Sequence, residues 1–239
     1  MIERSRAALL FLVLALVMTW PLALHLDRAV TDPGDPLLNT WIMAWDLHKL
    51  GTGSPRGLFD ANIFFPNHRT LAYSEHLLPQ ALLAALPTRL AGNPIVGYNC
   101  VLLLALASSA LGMYVLARHL TGSEAGAVFA GIAFAFSPFM MGHLSHLQVL
   151  CAGGLPLSFY FLHRFLAGER DADVLWLALT IAVQMLANGY YAVLLPYFIA
   201  VPLLGVAVAR RRLRDRRFVA ITAVVLVLLC VGVLLGRAG

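Results

Sequence analysis

The chain has 239 residues, of which 60% are hydrophobic and 12% charged, and its mean hydropathy is +0.81. Soluble domains carry about 25% charged residues, so the composition excludes a soluble globular protein and points to a chain solvated by a bilayer. The net charge of +5 comes from sixteen Arg and Lys49 against twelve acids; its placement at the ends of apolar runs fits membrane topology and not nucleic-acid binding.

Residues 1–6 are basic and lead into an apolar run over 7–26. At about 20 residues the run is long enough to span. It ends in Trp20-Pro21 and His25 without a small-residue cleavage site, so it reads as an uncleaved first span and not a signal peptide. Further apolar segments follow at 94–117, 125–142, 147–166, 173–188, 190–209 and 218–236, which makes seven spans. The connectors Thr121-Gly122-Ser123, Gly168-Glu169-Arg170-Asp171 and Asn188-Gly189 are turns by composition. Cys100, Cys151 and Cys230 lie in apolar runs, odd in number and without paired spacing, and read as packing residues.

The run 77–90 is apolar but short, and Pro79, Gln80, Pro87 and Arg89 interrupt it. If it does not cross, Arg4, Arg6, Arg118, Arg164, Arg170 and the cluster at 210–217 all fall on the cytoplasmic side. If it crosses, that cluster is exported, against the positive-inside rule. The expectation is therefore an all-α polytopic membrane protein, one membrane domain over 1–239, with its N-terminus in the cytoplasm. One long external loop over 27–93 carries interfacial helices.

That loop holds six of the twelve acids, whereas the expected spans hold no charge at depth. Ion-coupled transporters usually carry charge at mid-membrane, so the chemistry is placed on the external face. Within the loop, Leu38, Trp41, Ile42 and Trp45 fall at i, i+3, i+4 and i+7, one face of a helix, with Asn39, Asp46 and Lys49 away from its centre. Such a helix lies either in the headgroup layer or on the protein's own spans.

Four groups of residues are candidates for chemistry. Asp35, in Asp32-Pro33-Gly34-Asp35-Pro36, reads as a helix N-cap followed by Pro. A carboxylate so placed also suits a metal ligand or a general base. His143 and His146, in the turn ending at Gln148, either cap helix ends or bind a metal or phosphate. Arg69 could clamp a phosphate and Glu75 supply a second acid, or both belong to a polar turn before the run at 77. Gln184, Asn188, Tyr190 and Tyr191 are suited to sugar hydroxyls or to hydrogen bonds between helices. Gly-rich nucleotide loops, CxxC pairs, HExxH and GxSxG are all missing, so no nucleotide cofactor is implied.

Taken in order, Gly34-Asp35-Pro36, Trp41-x-x-x-Trp45-Asp46, Phe64-Phe65-Pro66-Asn67, Tyr73-Ser74-Glu75-His76 and His143-Leu144-Ser145-His146 resemble the GT-C membrane glycosyltransferases. These are relatives of the protein mannosyltransferases and of the aminoarabinose and rhizobial lipopolysaccharide transferases. The resemblance implies a bacterial cytoplasmic-membrane enzyme that moves a sugar from a polyprenyl-phosphate donor to a glycan, lipid or protein acceptor on the external face. In that class the essential acid lies early in the first external loop and maps onto Asp35. The second external motif maps onto His143 and His146, which with Asp35 form the expected set for a divalent metal. Arg69, Glu75, Gln148, Tyr190 and Tyr191 are then expected at the substrate. Pro36 stands where many relatives have a second acid, and the second motif here has no carboxylate. The length suits an N-terminal module or split subunit of a longer enzyme. The rival expectations are a non-catalytic membrane subunit and a small-molecule or lipid transporter.

Overall fold

The computed structural model describes residues 2–53, 57–168, 170, 172–209 and 219. All regular structure among them is helical. The helices are α1 (Ile2–Met18), α2 (Asp35–Gly51), α3 (Leu78–Ala91), α4 (Pro94–Thr121), α5 (Glu124–Ala135), α6 (Pro138–Gly142), α7 (Leu147–Leu150), α8 (Gly154–Ala167), α9 (Asp173–Ala187) and α10 (Gly189–Ala209).

Four segments are long and apolar enough to cross a membrane: Pro94–Thr121, Glu124–Gly142, Leu147–Ala167 and Gly189–Val206. Between the last two, α9 is apolar but has 15 residues. The expected span at 218–236 and the Arg cluster at 210–217 lie outside the described residues, except for Val219.

Two of the crossing segments are broken helices. Ser137-Pro138 separates α5 from α6, because Pro disfavours helix in the residue before it, and Ser137 caps α6 through Met140 N at 3.4 Å. Cys151 to Gly153 separates α7 from α8. The first helix also differs from expectation. It covers 2–18 instead of reaching 26, because Pro21 cannot continue the helix, and a 3-10 turn at Leu22–Leu24 follows.

The 28 residues of α4 are the axis, packed against α1, α3, α5 and α8. Small residues let these helices approach, as in other membrane interfaces. A Cβ on Gly112 would lie 2.6 Å from the Gly153 carbonyl oxygen, and one on Gly131 would lie 2.7 Å from Phe11 and 2.8 Å from the Ala110 carbonyl oxygen. Tyr98, Leu102 and Leu106, at i, i+4 and i+8 on α4, are fully buried in the core.

The helix ends sort into two faces. At one end, Asn99 donates to the carbonyls of Leu26 and Ala29, and Asn93 to that of Asp27. This is the loop face. At the other end Arg118 meets Glu3 and Glu124 at 3.9 and 3.0 Å, and Arg164 meets Asp173 at 3.2 Å.

The loop between α1 and α4 folds onto the bundle through α2 and α3. With 14 residues, α3 is about 21 Å long at 1.5 Å per residue, short of the roughly 30 Å hydrocarbon core. It starts where the His76 ring nitrogen Nδ1 accepts from Leu78 N at 3.1 Å. The stripe expected from periodicity packs in part: Ile42 is buried and Trp41 and Trp45 pack partly buried against the core, while Leu38 is exposed. The most buried side of α2 is Asn39, Ile42, Met43 and Asp46. The helix is turned by about one position, because period alone does not separate a lipid-facing apolar stripe from a protein-facing one.

Candidate functional site

The turn into α2 is made by Asp32, whose Oδ1 accepts from Gly34 N at 2.7 Å. A Cβ at Gly34 would stand 2.9 Å from the same oxygen, so glycine suits this close approach. Gly34 is the N-cap, and Asp35 is the first helical residue with Pro36 second. The expected N-cap role of Asp35 is thus corrected. Its carboxylate is instead turned to the next external motif, where Oδ2 lies 3.2 Å from His146 Nε2. The two side chains, 111 positions apart in sequence, are 50% and 42% exposed, open enough for a substrate to reach them.

Three further contacts hold this approach. Thr31 donates to the Leu144 carbonyl at 3.1 Å, and Asn39 Nδ2 to Gln148 Oε1 at 3.4 Å. Ser145 Oγ lies 3.1 Å from His146 Nδ1. One tautomer serves both of the ring's contacts: the Ser145 hydroxyl donates to Nδ1, and Nε2–H donates to Asp35.

His143 sits beside the pair, its ring 5.4 Å from that of His146 between centroids. Its Nδ1 is 2.7 Å from the Phe139 carbonyl oxygen and its ring packs on Phe139 at 4.3 Å. Among the described residues no three His, Cys, Asp or Glu side chains gather as a metal-binding group. Asp35 and His146 offer two donors, one short of the usual catalytic set, so the set Asp35, His143 and His146 does not fit a metal held by protein alone.

Glu75 joins a second cluster. Its Oε1 accepts from Gly189 N at 2.9 Å, at the bend between α9 and α10. Gln80 Nε2 donates to the Ala187 carbonyl at 2.7 Å, and Asn188 Oδ1 accepts from Tyr191 N at 3.0 Å. Glu75 Oε2, Gln80 Oε1 and Asn188 Nδ2 are buried without partners among the described residues. Burial raises the proton affinity of Glu75, and the Gly189 amide opposes this in part. Burial lowers the pKa of His76. Tyr191 donates to the Val149 carbonyl at 3.0 Å, whereas Tyr190 is 70% exposed.

Arg69 is exposed, and its backbone amide is held by Asp60 Oδ1 at 2.9 Å. Its guanidinium makes no hydrogen bond among the described residues. Sequence reasoning passed over Gln80, which falls inside the interrupted run at 77–90, and Asp46. The latter is fully buried on α2 with neither carboxylate oxygen hydrogen-bonded, and burial pushes it up to about 7. A lone acid one position off an apolar stripe was the available sign of it.

A family model described as dolichyl-phosphate-mannose-protein mannosyltransferase matches residues 78–235, well over half of the chain. The chain belongs to this family. No curated protein and no solved structure matches it. The family match begins at the first residue of α3. It takes in Gln80, His143, His146 and the α9–α10 bend of this mannosyltransferase-family chain and leaves Asp35 and α2 before it. In this membrane glycosyltransferase-family chain, Asp35, His146, Glu75 and Gln80 lie on the loop-face side, and Arg118, Glu124, Arg164 and Asp173 at the other end. The buried polar groups deeper in its bundle bind backbone: Ser109 donates to the Leu150 carbonyl and Gln184 to that of Cys151.

Proposed function

We propose that this chain transfers a sugar from a polyprenyl-phosphate donor, as in the mannosyl donor its family is named for, to an acceptor hydroxyl at the loop face. The observation that carries the reading is the half-exposed Asp35 carboxylate on the first turn of α2, held 3.2 Å from His146. The loop face is external in this reading. Arg4, Arg6, Arg118, Arg164 and Arg170 then lie on the cytoplasmic side of a bacterial membrane, as the positive-inside rule favours.

The chemistry asks little of the protein. A lipid-linked donor reaches a site at the membrane face laterally, so no nucleotide fold is required. The acceptor oxygen attacks the anomeric carbon, the bond from that carbon to the phosphate oxygen breaks, and polyprenyl phosphate leaves with the electron pair. Asp35 takes the acceptor proton. The His146 N–H, 3.2 Å away, fixes its orientation.

Asp35→Asn in the full chain tests the reading. Asn keeps the size and the contact with His146 but cannot take a proton. With the chain in proteoliposomes and a radiolabelled polyprenyl-phosphate mannose as donor, transfer should fall by about 10²–10⁴-fold, the usual contribution of a general base. Unchanged transfer by a folded Asp35→Asn protein would remove Asp35 from the chemistry.

A further inference from the structure

We infer that the α9–α10 bend, with Glu75, Gln80 and Asn188, is a subsite that holds the hydroxyl groups of the donor's sugar. This rests on the transferase reading above and adds to it the part of the donor that is recognised and the residues that do it.

The three side chains converge on three consecutive residues. Gln80 binds the carbonyl of Ala187, Glu75 binds the amide of Gly189, and Asn188 lies between them. Each spends one polar atom on backbone and leaves one free: Glu75 Oε2, Gln80 Oε1 and Asn188 Nδ2. The backbone contacts fix the orientation of both amides. Gln80 must donate to Ala187, which leaves its oxygen free, and Asn188 must accept from Tyr191, which leaves its nitrogen free.

Gln80 and Asn188 are each only 1% exposed, and buried polar groups without partners are costly unless a ligand or water meets them. Two free acceptors and one free donor match hydroxyl groups, which both give and take hydrogen bonds. They do not match a phosphate, whose oxygens would face the two acceptors. The three free atoms are buried, and Gly189 and Tyr190 are exposed beside them, with Glu75 half-buried.

The placement suits one sugar lying between this bend and Asp35. The segment that starts at His146 touches both clusters. His146 meets Asp35, and the Val149 carbonyl accepts from Tyr191 beside the bend.

The test uses isosteric variants that keep each backbone contact and reverse only the free atom. Glu75→Gln still accepts from Gly189 but presents an amide nitrogen where Oε2 was. Asn188→Asp still accepts from Tyr191 but presents an oxygen where Nδ2 was. Dissociation constants are measured with the full chain in nanodiscs for farnesyl phosphate and for its mannosyl, glucosyl and galactosyl derivatives. Wild type should bind at least one glycoside about tenfold tighter than farnesyl phosphate. Each variant should lose about that factor for the glycoside, as expected for one or two hydrogen bonds, and keep its affinity for farnesyl phosphate. If wild type binds farnesyl phosphate and all glycosides equally, the subsite is overturned and the donor reading stands. If the variants lose both ligands in parallel, the cluster is a helix tie only and the subsite is overturned. If wild type binds none of the four, the donor reading fails and takes the subsite with it.

Discussion

Asp46 gives the sharpest expectation about stability. Its carboxyl is fully buried on the protein-facing side of α2 and makes no hydrogen bond, and burial raises its pKa from 3.8 to about 7. A carboxyl of higher proton affinity in the folded state stabilises the fold fully below its unfolded pKa, near 4. That contribution is lost as pH rises from there through about 7, and above this the curve is flat again. At about 1.4 kcal/mol per decade of proton affinity, the whole effect is at most roughly 4 kcal/mol. Asp46→Asn has nearly the same shape and no titration. The difference in stability between Asp46→Asn and wild type should therefore be small near pH 4, grow in favour of Asn through pH 5 and 6, and level off above about 7. Thermal unfolding of both proteins in the same detergent, followed by circular dichroism between pH 4 and 8.5, measures that difference. Subtracting the two curves cancels every other titrating group. Curves that stay parallel across the range would mean that Asp46 is solvated or partnered in the folded protein and would refute the reasoning.

The remaining predictions concern the site and the helix contacts. His146→Ala should lower transfer about tenfold by freeing the Asp35 carboxylate, and His146→Gln, which can still donate to it, should restore much of the loss; equal losses in the two variants, read in the proteoliposome assay, would argue against a positioning role. Gly112→Ala places a Cβ 2.6 Å from the Gly153 backbone oxygen and should cost roughly 1–3 kcal/mol, as overpacking does. Gly142→Ala, with open space around it, is the neutral control, and equal unfolding temperatures for the two would contradict the packing. Asp173→Ala removes the 3.2 Å contact with Arg164 while the Arg164 bond to the Tyr160 hydroxyl remains, and should destabilise by roughly 1–3 kcal/mol, as loss of one charged hydrogen bond does, measured as the shift in unfolding temperature.

The order of the helices was legible in part because apolar runs report depth in a bilayer, with four of the seven expected spans long and apolar enough to cross among the described residues. Asn188-Gly189 marked the α9–α10 bend, and the short run at 77–90 became a helix of 14 residues. Ser137-Pro138 was equally visible as a breaker but lay inside a run long enough to span, so composition outweighed it. The approach of Asp35 and His146 was legible for a different reason. Asp35 opens the first helix of the external loop and His146 stands in the turn between two apolar runs, and alternation of the runs puts both on one face before any contact is known. What depth cannot report is direction around a helix axis. In water, the apolar stripe of an amphipathic helix points to the core. At a membrane face, lipid competes with the core for the same stripe. Leu37 and Leu38 went to the outside of α2, and Asn39 and Asp46 went in. The same ambiguity hid Gln80, a polar residue in an apolar run whose partner, the Ala187 carbonyl, is 107 positions away. For a chain in lipid, then, polar residues inside apolar segments mark the protein-facing side better than the leucines do. By that criterion Asn39, Asp46, Gln80, Asn99, Gln184 and Asn188, each no more than 4% exposed, trace the inner faces of five helices or their ends, and the Asn188 and Gln80 pair leads directly to the bend where the sugar is proposed to bind.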